Sequence, residues 1–225
     1  PLSSVDFTDE REQPVFYGAV NLYLKQNYRV FRKMPGWLYR FFDSNAILRY
    51  ASKKSGSTRA KGLEAMTISM LQGEEGFQKD ELDMLIDYLK HHEQPDVVHL
   101  SNALLLGLAG KIKRELKIPV ICSLQDEDVW VDAMDEPFKT QVWNLMALKG
   151  NDIAAFIAVS DFFAQKMKLR MNIPNEKLFV VHIGIDHLKY RFLEPNLITP
   201  TIGFLSRRNK GNGFEILIDA FIKLK

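Results

Sequence analysis

Between Asp80 and Val181 the chain repeats one pattern: an apolar stripe at helical spacing, a breaker, then a short run of apolar residues. Leu82, Leu85, Ile86 and Leu89 form the first stripe, and Gln94-Pro95 separates it from Asp96-Val97-Val98-His99-Leu100. Leu105, Leu108 and Ile112 form the second, after which Pro119 introduces Val120-Ile121-Cys122-Ser123-Leu124. Ala154 to Val159 is a third apolar run; Ser160-Asp161 then caps a helix carrying Phe163, Met167 and Met171. Leu178 to Val181 is the fourth. Strands that are apolar without alternation are expected to be buried on both sides. The pattern therefore predicts an α/β fold, a Rossmann-like parallel sheet with helices on both faces.

The remainder is less regular. A helix is expected over Val20 to Phe31 after Gly18, a break at Pro35-Gly36, and another helix over Trp37 to Tyr50. Ser52 to Gly62 reads as an exposed polar loop, Thr67 to Leu71 as a strand, and Gln72 to Gly76 as the turn after it. Residues 1–190 are assigned to one Rossmann-like domain. Residues 191–200, with two prolines, form a linker, and residues 201–225 begin a second domain with a strand at Thr201 to Leu205. Phe214, Leu217, Ile218, Phe221 and Ile222 predict the helix that follows.

Composition narrows the function by exclusion. A net charge of +2 over 225 residues gives no broad nucleic-acid footprint. The single cysteine, Cys122, lies in an apolar run and cannot form an intramolecular disulfide, which suits a reducing cytoplasm. Cys122 is read as a small buried hydrophobe. The longest apolar stretch, Ala103 to Gly110, is too short for a bilayer span of about 20 residues. No signal peptide is visible, and no cluster has zinc-ligand spacing.

In open parallel sheets, ligands sit beyond the carboxyl ends of the strands. Ser101-Asn102, Gln125 to Asp128, Ser160, His182 to Asp186 and Ser206 to Gly213 occupy those positions. Helix N-termini beside them would offer backbone N–H groups to an anion.

These same residues carry a resemblance. Pro95 to Asn102, Val120 to Asp128 and Ile157-Ala158-Val159-Ser160 resemble the amino-terminal domain of retaining GT-B glycosyltransferases, specifically glycosyltransferase family four. Gly184-Ile185-Asp186 is similar to that family's turn before the interdomain crossover. Thr201 to Arg207 resembles the first donor-domain strand, and Gly213 to Phe221 the helix after it. The resemblance implies transfer of a sugar from a nucleotide-sugar donor to a carbohydrate or lipid-linked acceptor, with retained configuration and no bound metal or other cofactor. Carbohydrate biosynthesis in the cytoplasm is the expected setting.

By matching position Arg207 is expected to bind the donor phosphates, with Lys210, two residues before the family's usual lysine position, as a substitute if the loop is rearranged. Gly18, Ala19, Asn102, Gln125, Glu127, Asp128 and Ser160 are expected to position acceptor or sugar, and His182, Gly184 and Asp186 to line the crossover. For Glu127 and Asp128, helix capping and dipole stabilisation is an equally weighted reading. The family's paired glutamates are expected beyond Lys225 and its first strand before Pro1, so the catalytic residues are unassigned and the 225 residues alone should be inert.

The sequence also departs from the family pattern. Asn212 stands where a lysine is usual, Ala19 where the second glycine of a pair is usual, and Gln125 where many relatives have histidine. Glutamine can hydrogen-bond a hydroxyl but cannot act as a base.

Other histidines read as structural: His99 as a hydrogen-bonded core residue, and His91-His92 at a helix C-terminus. His187 flanks the crossover beside His182. The basic-aromatic stretch 29–54 reads first as a solvated helical excursion and second as a peripheral contact with the inner face of a membrane. Three rival functions share parts of this pattern. They are a GT-B sugar-nucleotide epimerase, a non-catalytic sugar- or nucleotide-binding regulatory module, and a dinucleotide-dependent oxidoreductase. The last lacks a G-x-G-x-x-G after any strand.

Overall fold

The structure is a computed structural model that describes residues 62–189, 201–206 and 212–224. The chain divides into two compact units, Pro1–Ile183 and Gly184–Lys225. Gly18, Ala19, Arg207, Lys210, stretch 29–54, linker 191–200 and the two predicted amino-terminal helices lie outside the described residues.

In the first unit, α1 (Glu64–Gln72) and α2 (Lys79–Tyr88) precede β1 (Val98–Leu100). A 3₁₀ segment, Ala103–Leu108, runs into α3 (Ala109–Leu116) and leads to β2 (Val120–Leu124). Then follow α4 (Glu127–Asp132), α5 (Phe138–Lys149), β3 (Ala155–Ala158), α6 (Asp161–Met171) and β4 (Leu178–Val180). The four strands form one parallel sheet in the order β1-β2-β3-β4, with Leu100 beside Cys122, Leu124 beside Ala158 and Ala158 beside Val180. Helices surround it, giving the α/β Rossmann-like architecture that the repeated pattern predicts.

The core is built from the predicted stripes. Leu82 and Ile86 of α2, Leu108 and Ile112 before and within α3, and Met167 and Met171 of α6 are all buried. Phe156, 1% exposed, sits at the centre of the sheet, and burying such a side chain contributes roughly 1.5–3 kcal/mol. Burial along the strands does alternate, however. Leu100, Cys122, Leu124 and Ala158 are fully buried, whereas Ile121, Ser123 and Ile157 are half-buried and Phe179 is exposed.

Two sequence expectations are corrected. Thr67 to Leu71 is helical, inside α1, not a strand. The β-branched Thr67 is accommodated because its hydroxyl donates to the Leu63 carbonyl at 3.0 Å, one turn back. Ser69 is held by Gln78 Oε1 at 2.6 Å, and Ile68 and Leu71 are buried, so packing overrides local strand propensity. His99 is exposed rather than in the core; its Nε2 lies 2.8 Å from Ser123 Oγ across the β1–β2 pair. Val98 and Leu100 point to the better-buried side, and the period of two turns His99 the other way. His91 keeps its structural role, 2.9 Å from the Asp87 carbonyl, and His92 stacks on Tyr88.

In the second unit, a 3₁₀ turn spans His187–Lys189 and α7 spans Phe214–Leu224. Thr201 to Leu205 forms no strand among the described residues, a further correction. Among the described residues no strand pairs with this segment, and a strand without neighbours is not independently stable. Ile216, Phe221, Ile222 and Leu224 of α7 are all exposed. No helix among the described residues is long and apolar enough to cross a membrane.

Candidate functional site

Because all four strands run parallel, their carboxyl ends emerge along one edge. Ser101 and Asn102 leave β1 there, Gln125 to Asp128 leave β2, and Ser160 follows β3. The Val181 N–H donates to the Ala158 carbonyl at 2.9 Å, extending the β3–β4 pairing by one residue so that His182 continues the row, exposed. Gly184 and Asp186 belong to the second unit. There Asp186 Oδ1 accepts the Leu188 N–H at 3.2 Å, and among the described residues nothing lies within 4 Å of where a Gly184 Cβ would stand.

The edge is bound together by its own polar groups. Glu127 is 2% exposed; Oε1 accepts the Ala103 N–H at 2.8 Å and Oε2 the Gln125 N–H at 2.7 Å. Burial pushes its carboxyl above the ordinary value, against the opposing pull of those two N–H donors and with help from the neighbouring charge of Asp126. Gln125 itself is exposed, and its Nε2 donates to the Ser101 carbonyl at 3.1 Å. Asn102 Oδ1 accepts the Leu104 N–H at 3.0 Å, and its Nδ2 lies 3.4 Å from Ser101 Oγ. Asp126 adopts the left-handed conformation (φ 55°), which aspartate tolerates better than most residues and which turns the chain from β2 into α4.

Several N–H groups at two of the helix starts are occupied internally. At the 3₁₀ segment the Ala103 and Leu104 N–H groups go to Glu127 and Asn102, and the Leu105 N–H goes to the Asn102 carbonyl at 3.3 Å. At α6 the Phe163 N–H goes to Ser160 Oγ at 3.2 Å. The Ala103, Leu104, Leu105 and Phe163 N–H groups are thus bonded within the chain rather than turned to a ligand. Along this edge Asn102, Gln125 and Ser160 offer a ligand hydroxyl and carboxamide chemistry, with the exposed His182 imidazole at its end.

Behind the row, ion pairs lock the supporting helices. Lys166 of α6 pairs with Asp128 at the start of α4. Arg170 grips Asp132 with two bonds of 2.9 and 3.0 Å and lies 4.8 Å above the Trp143 ring, while Trp143 Nε1 donates to the same carboxylate at 3.1 Å. Burial would raise the Asp132 pKa, but the Arg170 and Trp143 hydrogen bonds outweigh it and hold the carboxyl below its ordinary value.

Sequence reasoning placed Asn102, Gln125, Glu127, Asp128 and Ser160 at the strand ends, and the fold brings them along one edge. It missed α5, Lys166 and Arg170. The signal for α5 lay in Val142, Trp143 and Met146, spaced i, i+1 and i+4. A depression of about 540 Å³ runs along α5 between Glu136 and Leu148 and contains none of the edge residues. Burial drives the Cys122 thiol far up, in keeping with a small core residue. No group of three His, Cys, Asp or Glu side chains among the described residues is arranged to hold a metal ion.

A four-stranded parallel sheet with helices around it and polar loops at its carboxyl ends defines a Rossmann-like α/β domain. The match to the family model of Glycosyltransferase Family 4 runs over residues 75–188, just over half the chain, from the turn after α1 to the residues beyond β4. The chain therefore belongs to Glycosyltransferase Family 4. No curated protein and no solved structure matches it.

Proposed function

We propose that this chain supplies the acceptor-side wall of a sugar-transfer centre, in an enzyme that moves a glycosyl group from a nucleotide-sugar donor with retention of configuration. The observation that carries the reading is the row Asn102, Gln125 and Ser160 at the carboxyl edge of one parallel sheet. These are neutral hydrogen-bonding groups that suit hydroxyls, and the Ala103, Leu104 and Phe163 N–H groups beside them are already bonded within the chain. On this reading the donor phosphates fall to Arg207 and Lys210, with Gly18, Ala19, His182, Gly184 and Asp186 completing the surroundings. A carbohydrate or lipid-linked acceptor fits the same edge. Catalysis needs no metal here, since cationic side chains can balance the leaving diphosphate.

Chemically, the edge residues orient rather than react. Gln125 carries no titratable proton, so its part is to fix a sugar hydroxyl. Ser160 Oγ spends a lone pair on the Phe163 N–H and keeps its own O–H to donate. The test is to supply the complete gene product carrying this chain with a panel of nucleotide sugars and acceptors, and to read the anomeric configuration of any product by NMR. Sugar transfer with retention is expected. Release of epimerised or free nucleotide without an acceptor would replace this reading with an epimerase.

A second reading, a non-catalytic sugar-binding module, draws on Gln125 and on Asn212, whose Nδ2 is bonded to Ser206 Oγ at 2.8 Å. Donor binding without turnover by the complete gene product would favour it.

A further inference from the structure

Glu127 is the most deeply buried acid on the carboxyl edge, and it touches two loops at once. Ala103 opens the 3₁₀ segment immediately after Asn102, and Gln125 is the first residue after β2. Their N–H groups, 22 positions apart in sequence, converge on the two oxygens of one carboxylate at 2.8 and 2.7 Å. A buried carboxylate carries a desolvation cost that only well-made bonds offset, so its oxygens act as fixed points rather than mobile ligands. At 2% exposure, with both oxygens engaged, Glu127 is poorly placed to meet a sugar directly.

We propose that Glu127 is a positioning residue for sugar transfer: by holding the Ala103 and Gln125 backbones together, it sets where the Gln125 and Asn102 side chains stand. This rests on the glycosyl-transfer reading above. The loops it joins come from different strands and have little else in common. Apart from this carboxylate, they meet through the bond from Gln125 Nε2 to the Ser101 carbonyl at 3.1 Å. That bond depends in turn on the Gln125 backbone being in place. Glu127→Gln keeps the size and loses the geometry, because a carboxamide has one oxygen for two converging N–H donors and its NH₂ must face the other. Glu127→Asp keeps both oxygens but withdraws them by one methylene.

The experiment uses the complete gene product with whichever nucleotide sugar and acceptor it turns over. It measures KM and kcat for wild type, Glu127→Gln, Glu127→Asp, Gln125→Ala and the double variant Glu127→Gln/Gln125→Ala, with urea unfolding of each. Displacement of a positioning group by about 1 Å can cost up to about 100-fold. Glu127→Gln is expected to raise the acceptor KM about 10-fold or more, and Glu127→Asp less. In the Gln125→Ala background, Glu127→Gln should cost clearly less than it does in wild type, since one of the two side chains it positions is already gone and only Asn102 remains to be displaced. An equal cost in both backgrounds, an unchanged KM, or failure of both Glu127 variants to fold would make Glu127 structural only and overturn this inference while leaving the transfer reading standing. A wild type inert with every donor overturns both.

Discussion

Gly73 and Gly107 meet backbone to backbone. A Cβ on Gly73 would lie 2.1 Å from the Gly107 carbonyl oxygen, and one on Gly107 would lie 2.1 Å from the Met70 oxygen. This contact seats the end of α1 against the 3₁₀ segment that leads out of the candidate site. Gly73 also has φ +63°, a conformation that side chains resist. Gly107 carries no such conformational strain, so substitution there isolates the packing. Gly107→Ala should destabilise the fold by about 1–3 kcal/mol, because the obstructing atoms are backbone and cannot swing aside. Urea unfolding checks it, and a loss below a few tenths would mean the helix and the segment separate freely.

Ser160 separates capping from ligand contact. Ser160→Ala removes the cap of α6 and should cost about 1 kcal/mol, whereas Ser160→Gly should cost only a few tenths. If the hydroxyl also meets a sugar, both variants lower transfer equally despite their different stabilities. Activity that follows stability instead would leave Ser160 a cap alone.

The Glu127 carboxyl should titrate above its ordinary value of 4.5, because burial, aided by Asp126, disfavours the ion. Once protonated, one oxygen becomes a donor and can no longer accept comfortably from its N–H partner. The Ala103 and Gln125 amide resonances should therefore move together in a single step above pH 4.5. The sign for stability follows: the folded state binds this proton more readily than the unfolded chain, so the cost of the buried ion is present at neutral pH and is relieved as pH falls through the folded pKa. Asp126→Asn should bring the step to lower pH. Two independent amide transitions would contradict a shared carboxylate.

Asp132 and Glu74 carry the opposite sign. Burial opposes ionisation of Asp132, yet Arg170 and Trp143 hold its pKa down; Glu74 is lowered chiefly by the Arg114 hydrogen bond of 2.7 Å. Folded, these groups bind protons less readily than in the unfolded chain. Their stabilisation is full above the ordinary values of 3.8 and 4.5, and is lost as pH falls through the lowered ones. Both side chains are 37% exposed, so solvent screening limits the effect. Asp132→Asn should cost about 1 kcal/mol at pH 7 and progressively less as pH falls through the lowered pKa, read by urea midpoints at each pH.

Helical stripes and apolar runs were legible because period is a local property: Leu82 and Ile86, or Val120 to Leu124, declare their geometry to any solvent-facing chain. Polar positions at strand ends were legible for the same reason, since a parallel sheet puts all carboxyl ends on one side. Thr67 to Leu71 was not. Its short β-branched run suits a strand locally, and only burial of Ile68 and Leu71, together with the Ser69–Gln78 bond, makes it a helix. His99 misled in the same way, because which side of a strand is buried depends on neighbours, and Val98 and Leu100 won the better-buried side.

Glu127 marks the boundary between the two kinds of knowledge. Its sequence position beside Asp128 after a strand established that an acid stands at the carboxyl edge of β2, because strand direction and connection length are written in local pattern. That it faces inward and joins Ala103 to Gln125 was decided only when β1 and β2 came side by side. Hydrogen bonds between residues distant in sequence exist only after the chain has closed the loop between them, and no local period records them.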